Sequence, residues 1–471
     1  MAALLATVAA AETPRAELGK RLRRFELAWQ QADAQRRAAA VAPMKAAVNS
    51  FFTLQPAVAA ARLDDAWLVV RGEGPADVRE RQAIATAVTV TPLFADTTCD
   101  VVTVSFERLY PGPDGEDPEA RLRIVIEDAE GMTLASRDAA WGEATGSLAW
   151  TTGPLPRGDH RFVVQRVTDD AVLVVASLGL SRAERLDERL TALRDARAPP
   201  AHSPSPTGRA TIAAIADVLG NLAASRGQET DYPATRLLSF AEELCASGNA
   251  AGESIAAEAR RADCWLTLSD GRREVPVRLR APADAAGPLP VLFLLHGAGG
   301  SENMFFDACG AGRAVTLGIR RGWLVVAPRH GFFGLPLGIG PMLELLEDAF
   351  EIDRSRVFVA GHSMGAAQTA TQAALHPRLV AAAAALGGGG KAPANAEAGR
   401  IPWFVAAGAE DFGRPAASAL AKNLRAAGNT VAERVIPDVE HMVVVQAALD
   451  DLFAFLDTVA VDAGPAPWSA P

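Results

Sequence analysis

At 471 residues, 49% of them hydrophobic, the chain exceeds what one core covers, since single cores stop growing near about 250–300 residues, so two or three domains are expected. A formal net charge of −10 and a pI of about 5.4 leave no basic footprint for nucleic acid or anionic membrane surfaces. Cys99, Cys245, Cys264 and Cys309 stand without a CxxC pair or a histidine cluster, so no zinc site or disulfide framework is signalled, and no apolar run approaches the roughly 20 residues of a membrane-spanning helix.

Met1 to Ala11 is short and apolar, and Ala9-Ala10-Ala11 ahead of Glu12 has the composition of a signal-peptide cleavage site, although no Lys or Arg precedes it. A clipped leader, implying a periplasmic or secreted protein, is favoured over an alanine-rich start to the first helix. From Pro14 to Ala60, Leu18, Leu22, Phe25 and Trp29 recur near helical spacing, and residues 1–82 read as an N-terminal helical segment. Between Ala83 and Gly179 the pattern changes to short β-branched runs, TAVTVTPL, CDVVTVSFE, ARLRIVIED, GSLAWTT, HRFVVQRV and AVLVVASL, separated by Pro, Gly and Asp. These predict a small β-sandwich-like accessory domain over 83–180, with Trp141 and Trp150 either in its core or forming a carbohydrate-binding platform.

Residues 181–261 read as helices interrupted by a Pro- and Ser-dense linker, Ala198 to Gly208. After Ala262, CWLTL and VPVRLRA flank the turn signal Ser269-Asp270-Gly271. The runs LPVLFLL, GWLVVAP, RVFVAGHS, AAAAALGG, IPWFVAAG and VAERVIP then alternate with helical stretches, the order of an α/β, doubly wound, mostly parallel sheet over residues 262–461. Residues 462–471 read as a disordered tail.

Gly361-His362-Ser363-Met364-Gly365 follows a buried strand and precedes a helix, the setting of a nucleophilic serine on a tight turn. His296-Gly297-Ala298-Gly299-Gly300 ends another strand, so amides near Gly297 and Ala298, with that of Met364, are candidates to stabilise an oxyanion. Of the histidines after Ser363, His376 sits at a helix end, whereas His441 occupies a loop from which an imidazole can reach the serine. Glu410 and Asp411 follow one strand, and either carboxylate can orient that imidazole; Asp438 and Glu440 are outside candidates. Phe332 and Phe333, in GFFGLPLGIGPM, are candidate pocket contacts, while Leu335 and Ile339 read as core.

With LHGAGG, EIDRSRVFVAGHSMGA, the GAED loop and the EHM histidine in order, residues 262–461 resemble the polyhydroxybutyrate depolymerase-like and feruloyl or acetylxylan esterase branch of the α/β-hydrolases. The resemblance implies a serine carboxylic-ester hydrolase acting on a small or polymeric ester through Ser363, Asp411 and His441, Asp411 being preferred to Glu410 on the family pattern. It implies no metal and no cofactor. It leaves a serine peptidase or thioesterase of the same fold, and a substrate- or carbohydrate-binding N-terminal module fused to the hydrolase, as alternative expectations. Members of that branch often carry an aromatic residue just after the histidine, where Met442 and Val443 stand here.

Overall fold

The computed structural model describes residues 2–72, 78–111, 120–196, 205–226, 229–284, 287–393 and 398–462. Most of the expected linker and all but the first residue of the expected tail lie outside them. Among the described residues no helix is long and apolar enough to cross a membrane. The chain divides into two compact units, one of Met1–Arg21, Asn49–Ala201 and Ile212–Ala246, the other of Leu22–Val48, His202–Thr211 and Ser247–Pro471.

The first unit contains strands β1 (Thr86–Thr91), β2 (Phe94–Asp96), β3 (Val101–Arg108), β4 (Arg121–Glu127), β5 (Thr133–Ala140), β6 (Gly146–Thr151), β7 (Gly158–Val167) and β8 (Val172–Ala183). They form a sheet of order β1-β3-β6 and another of order β2-β8-β7-β4-β5. Alternation puts every second side chain of β3 inside, and Val102, Val104 and Phe106 share one core with Leu122, Ile124, Phe162, Val164 and Leu180 of the other sheet. Trp141 and Trp150 belong to that core, so they are not a surface platform. A cleft of about 420 Å³ in this unit is lined by polar groups including Asp128, Glu130, His160, Asp231 and Tyr232. The helix Pro56–Arg71 is anchored through buried Asp64, which accepts hydrogen bonds from Arg21 Nε at 3.1 Å and Tyr110 Oη at 2.6 Å.

The second unit carries β9 (Cys264–Ser269), β10 (Glu274–Arg280), β11 (Leu289–Leu295), β12 (Leu324–Pro328), β13 (Ile352–His362), β14 (Val380–Leu386), β15 (Trp403–Gly408) and β16 (Val431–Ile436). Their order in a single sheet is β16-β15-β14-β13-β11-β12-β10-β9. β9 and β10 form an antiparallel hairpin at the expected turn, where Gly271 has φ 85°; β10 also runs antiparallel to β12, and every other neighbouring pair is parallel. Every residue of β11, β12 and β15 is buried, which is why these segments read as unbroken apolar runs: helices cover both faces. The helix Met364–Leu375 packs on β13 and β14, and the helix Val444–Asp462 on β14 and β15.

The chain opens with the helices Ala2–Gln31 and Ala34–Phe52. Their residues Leu22–Val48 belong to the second unit. Arg23 Nη1 donates to the carbonyls of Asp307 and Ala311 at 2.8 and 3.1 Å, and Glu26 accepts the amides of Gly310 and Ala311 at 3.0 and 2.8 Å.

Candidate active site

β13 delivers Ser363 at its C-terminal end, and the next residue opens the helix Met364–Leu375. The reversal is so tight that Ser363 takes φ 56° and ψ −115°, a conformation a residue with a Cβ adopts at a cost on the order of 1–3 kcal/mol. Its glycine neighbours are required by space. A Cβ on Gly361 would lie 2.1 Å from the carbonyl oxygen of Gly365, and one on Gly365 would lie 1.9 Å from that of Leu295. The turn lifts Ser363 above the sheet, and the Met364 amide, first in its helix, lacks an intrahelical acceptor.

Two further loops meet this serine. His441, between β16 and the helix Val444–Asp462, places Nε2 2.9 Å from Ser363 Oγ. Its Nδ1 lies 2.8 Å from Asp411 Oδ1, which also accepts the Gly413 amide at 2.6 Å. A carboxylate oxygen can only accept here, so Nδ1 carries the proton and Nε2 presents its lone pair to the serine hydroxyl. Glu410, next along the same loop, turns outward: its side chain is 47% exposed and pairs with Lys45 Nζ at 2.9 Å. Geometry therefore separates the two carboxylates that sequence left adjacent. His376 lies away from this group, beside Gly338 and Gly340.

The loop after β11 closes on the serine from the other side, since a Cβ on Gly297 would fall 3.2 Å from Ser363 Cβ. Buried His296 donates from Nδ1 to the Gly297 carbonyl at 2.8 Å and accepts the His330 amide on Nε2 at 3.1 Å. Burial, reinforced by the His330 ring stacked on it at 4.1 Å, pushes its pKa down to about 3, so it stays neutral. With the Gly297 carbonyl held by His296, the trans peptide directs the Ala298 N–H the opposite way.

Several residues act on His441 that sequence reasoning did not assign to it. His362, within the serine motif, is fully buried, and burial followed by the charge of His441 pushes its pKa down to about 3. Its Nε2 lies 2.9 Å from the His441 carbonyl, to which it donates. Phe412 lies over the His441 ring at 4.0 Å between centroids while remaining 61% exposed. An aromatic residue thus packs on the histidine, but from the Asp411 loop rather than the histidine's own. Glu440, singled out only as an outside candidate for the acid, is buried and accepts the amides of Met442 and Val443 at 3.0 Å.

Phe332 and Phe333 are 80% and 107% exposed on the turn Gly331 to Gly334. They stand out from this turn instead of walling an enclosed pocket. The turn borders the serine's helix, since a Cβ on Gly334 would lie 3.2 Å from Gln368 Oε1. Ile339 is core, as its sequence suggested, and Leu335 is partly buried. Among the described residues no group of three or more His, Cys, Asp or Glu is arranged to hold a metal ion.

No protein-family model matches the chain, and no curated protein does. Solved structures similar to it are esterases and serine hydrolases. A thermostable esterase shares 23% identity over 42% of this chain and 64% of its own, with a TM-score of 0.36, so the chain spans just under two thirds of that relative. An S-formylglutathione hydrolase from Agrobacterium tumefaciens shares 16% over 43% of this chain and 96% of its own, with a TM-score of 0.34. A ferulic acid esterase shares 18% over 42% and 98%, with a TM-score of 0.35.

Proposed function

We propose that the second unit is an α/β-hydrolase acting as a serine carboxylic-ester hydrolase through an acyl-enzyme on Ser363. The observation that carries this reading is the continuous hydrogen-bonded chain from Ser363 Oγ through His441 to Asp411, at 2.9 and 2.8 Å. On the sequence motifs we place the chain nearest the polyhydroxybutyrate depolymerase-like and feruloyl or acetylxylan esterase branch.

In the first half-reaction Ser363 Oγ attacks the ester carbonyl while His441 Nε2 takes its proton. Asp411 holds the imidazole in the accepting tautomer and stabilises the imidazolium that forms. The charge that develops on the former carbonyl oxygen is assigned to the amides of Met364 and of the loop at Gly297 and Ala298, fixed donors that need no reorganisation as the reaction proceeds. His441 then protonates the leaving alkoxide, and the alcohol departs. Water, deprotonated by the same imidazole, attacks the acyl-enzyme, and return of the proton to Ser363 Oγ releases the carboxylic acid. Each step uses side chains and amides of this unit alone.

Phe332 and Phe333 are assigned to substrate contact as an exposed apolar lip. The assignment of reaction class is tested with p-nitrophenyl esters from acetate to octanoate, a feruloyl ester, a thioester and a peptide p-nitroanilide, each with wild type and Ser363→Ala. Ester turnover that Ser363→Ala abolishes is the expected result. Turnover of the anilide or the thioester alone transfers the site to a peptidase or a thioesterase, and ester turnover that survives Ser363→Ala removes the serine from the mechanism.

A further inference from the structure

The loop carrying His441 is held from beneath by groups that the reaction itself does not consume. Glu440 folds its carboxylate back over the following residues, accepting the Met442 amide on both oxygens and the Val443 amide on one, all at 3.0 Å. Immediately afterwards the helix Val444–Asp462 begins, and its first turns pack on the bend at Cys309–Gly312. A Cβ on Gly310 would lie 3.0 Å from Leu449 and 3.5 Å from Val445 and the buried Gln446 amide. That bend runs through consecutive left-handed residues, Gly310 at φ 68°, Ala311 at 50° and Gly312 at 80°. Such a bend turns successive amides to one side as a concavity for acceptor oxygens, here filled by the carboxyl group of Glu26.

We propose that Glu440 and Glu26 are positioning residues for His441, Glu440 setting the turn that aims the imidazole and Glu26 seating the bend on which the next helix rests. The proposal rests on the reading of His441 as the proton carrier. It makes a segment more than 280 residues upstream of that bend part of the catalytic support.

The two carboxyls are electrostatically linked. Burial pushes Glu26 up to about 8 against the pull of the Gly310 and Ala311 amides and of Arg23, and the charge of Glu440 adds to the rise. Burial pushes Glu440 up to about 7 against the amides of Met442 and Val443 and the charge of His441, with Asp411 adding to the rise. The thiol of Cys309, which also feels the charge of Glu26, is held neutral by burial. Of the two carboxyls Glu440 is the readier to ionise, and it is the one next in sequence to His441.

The test compares Glu440→Gln and Glu26→Gln with wild type, following the His441 imidazole titration by NMR together with kcat and KM for a p-nitrophenyl ester. Glu440→Gln removes the nearby charge and one good acceptor. We expect the His441 midpoint to fall by about 0.5–1 pH unit and kcat to fall about tenfold, with KM within about twofold. Glu26→Gln sets an NH2 group against one of the Gly310 and Ala311 amides, which loosens the seat of the following helix and is expected to move the His441 midpoint by a few tenths of a unit. A midpoint within about 0.2 unit of wild type in Glu440→Gln overturns the role of that residue, and the same result in Glu26→Gln overturns the pairing. The imidazole titration needs no ester, so it stands if no ester is turned over, and that failure would belong to the proposed activity. If either variant does not fold, the wild-type curve decides: two steps between about pH 6 and 9 support the pair, and a single step overturns it.

Discussion

Asp411→Asn is the perturbation that bears most directly on the proposed chemistry, because the substitution is nearly isosteric and removes the charge from the oxygen that holds the imidazole. Asp411 Oδ1 accepts both the Gly413 amide at 2.6 Å and the His441 Nδ1 proton at 2.8 Å. Because one oxygen serves both donors, an asparagine either keeps its oxygen there, accepting both protons without the charge that stabilises the imidazolium, or turns its NH2 there, so that His441 accepts at Nδ1 and carries its proton on Nε2, where it can no longer take one from Ser363. We expect kcat to fall by about 10³–10⁴, equivalent to about 4–5.5 kcal/mol of lost transition-state stabilisation, with KM little changed. The assay is p-nitrophenyl acetate turnover with near-ultraviolet circular dichroism to show that the fold is kept. Glu410→Gln is the matched control: Glu410 is half exposed and pairs with Lys45, an ion pair worth roughly 0–1 kcal/mol, so its kcat is expected within about twofold of wild type. A decline of less than tenfold in Asp411→Asn, or a larger one in Glu410→Gln, would refute the assignment of the acid.

The remaining expectations probe packing and charge. Gly365→Ala drives a Cβ into the Leu295 carbonyl, 1.9 Å away, and is expected to lower the thermal midpoint of the second unit by roughly 10 °C, read by calorimetry. Phe412→Ala uncovers the imidazole and removes an aromatic contact worth about 0.5–1.5 kcal/mol; a drop in kcat/KM of about two- to tenfold is expected, and an unchanged value would mean the ring is a bystander. Glu26 keeps its proton to about pH 8 in the folded chain, whereas an ordinary glutamate releases it near 4.5. The folded state therefore binds more protons between those values, and stability falls as pH rises through them. The full span corresponds to about 5 kcal/mol at most, and Glu26→Gln should flatten the dependence of the urea midpoint on pH between 5 and 8.

The central sheet was legible because strands buried on both faces cannot afford polar positions, as in LPVLFLL and RVFVAGHS. Strand β5, TLASRDAA, was not read as a strand: it lies at the edge of its sheet and is largely exposed, so neither an apolar run nor strong alternation marks it. The candidate serine was marked by local sterics, the two glycines whose positions leave no room for a Cβ, and the candidate histidine by its loop. What brings Glu26 to Gly310, or Phe412 onto His441, is the path of the chain between distant segments. Composition near Glu26 carries no trace of it. The outward stance of Phe332 and Phe333 was equally hidden, since an exposed turn and a pocket wall can share the same apolar letters.

The 284 residues that separate Glu26 from Gly310 bear on the order in which the nascent chain matures. Translation at roughly 5–20 residues per second delivers Glu26 some 15–60 s before the amides it will receive at Gly310 and Ala311. The first unit's strands, Thr86 to Ala183, emerge within that interval and have their sheet partners at hand. The second unit's earliest segment must wait, unsatisfied, for a seat that does not yet exist, which gives the ribosome-bound chain a buried-carboxyl residue to keep solvated until the last third of the message has been read.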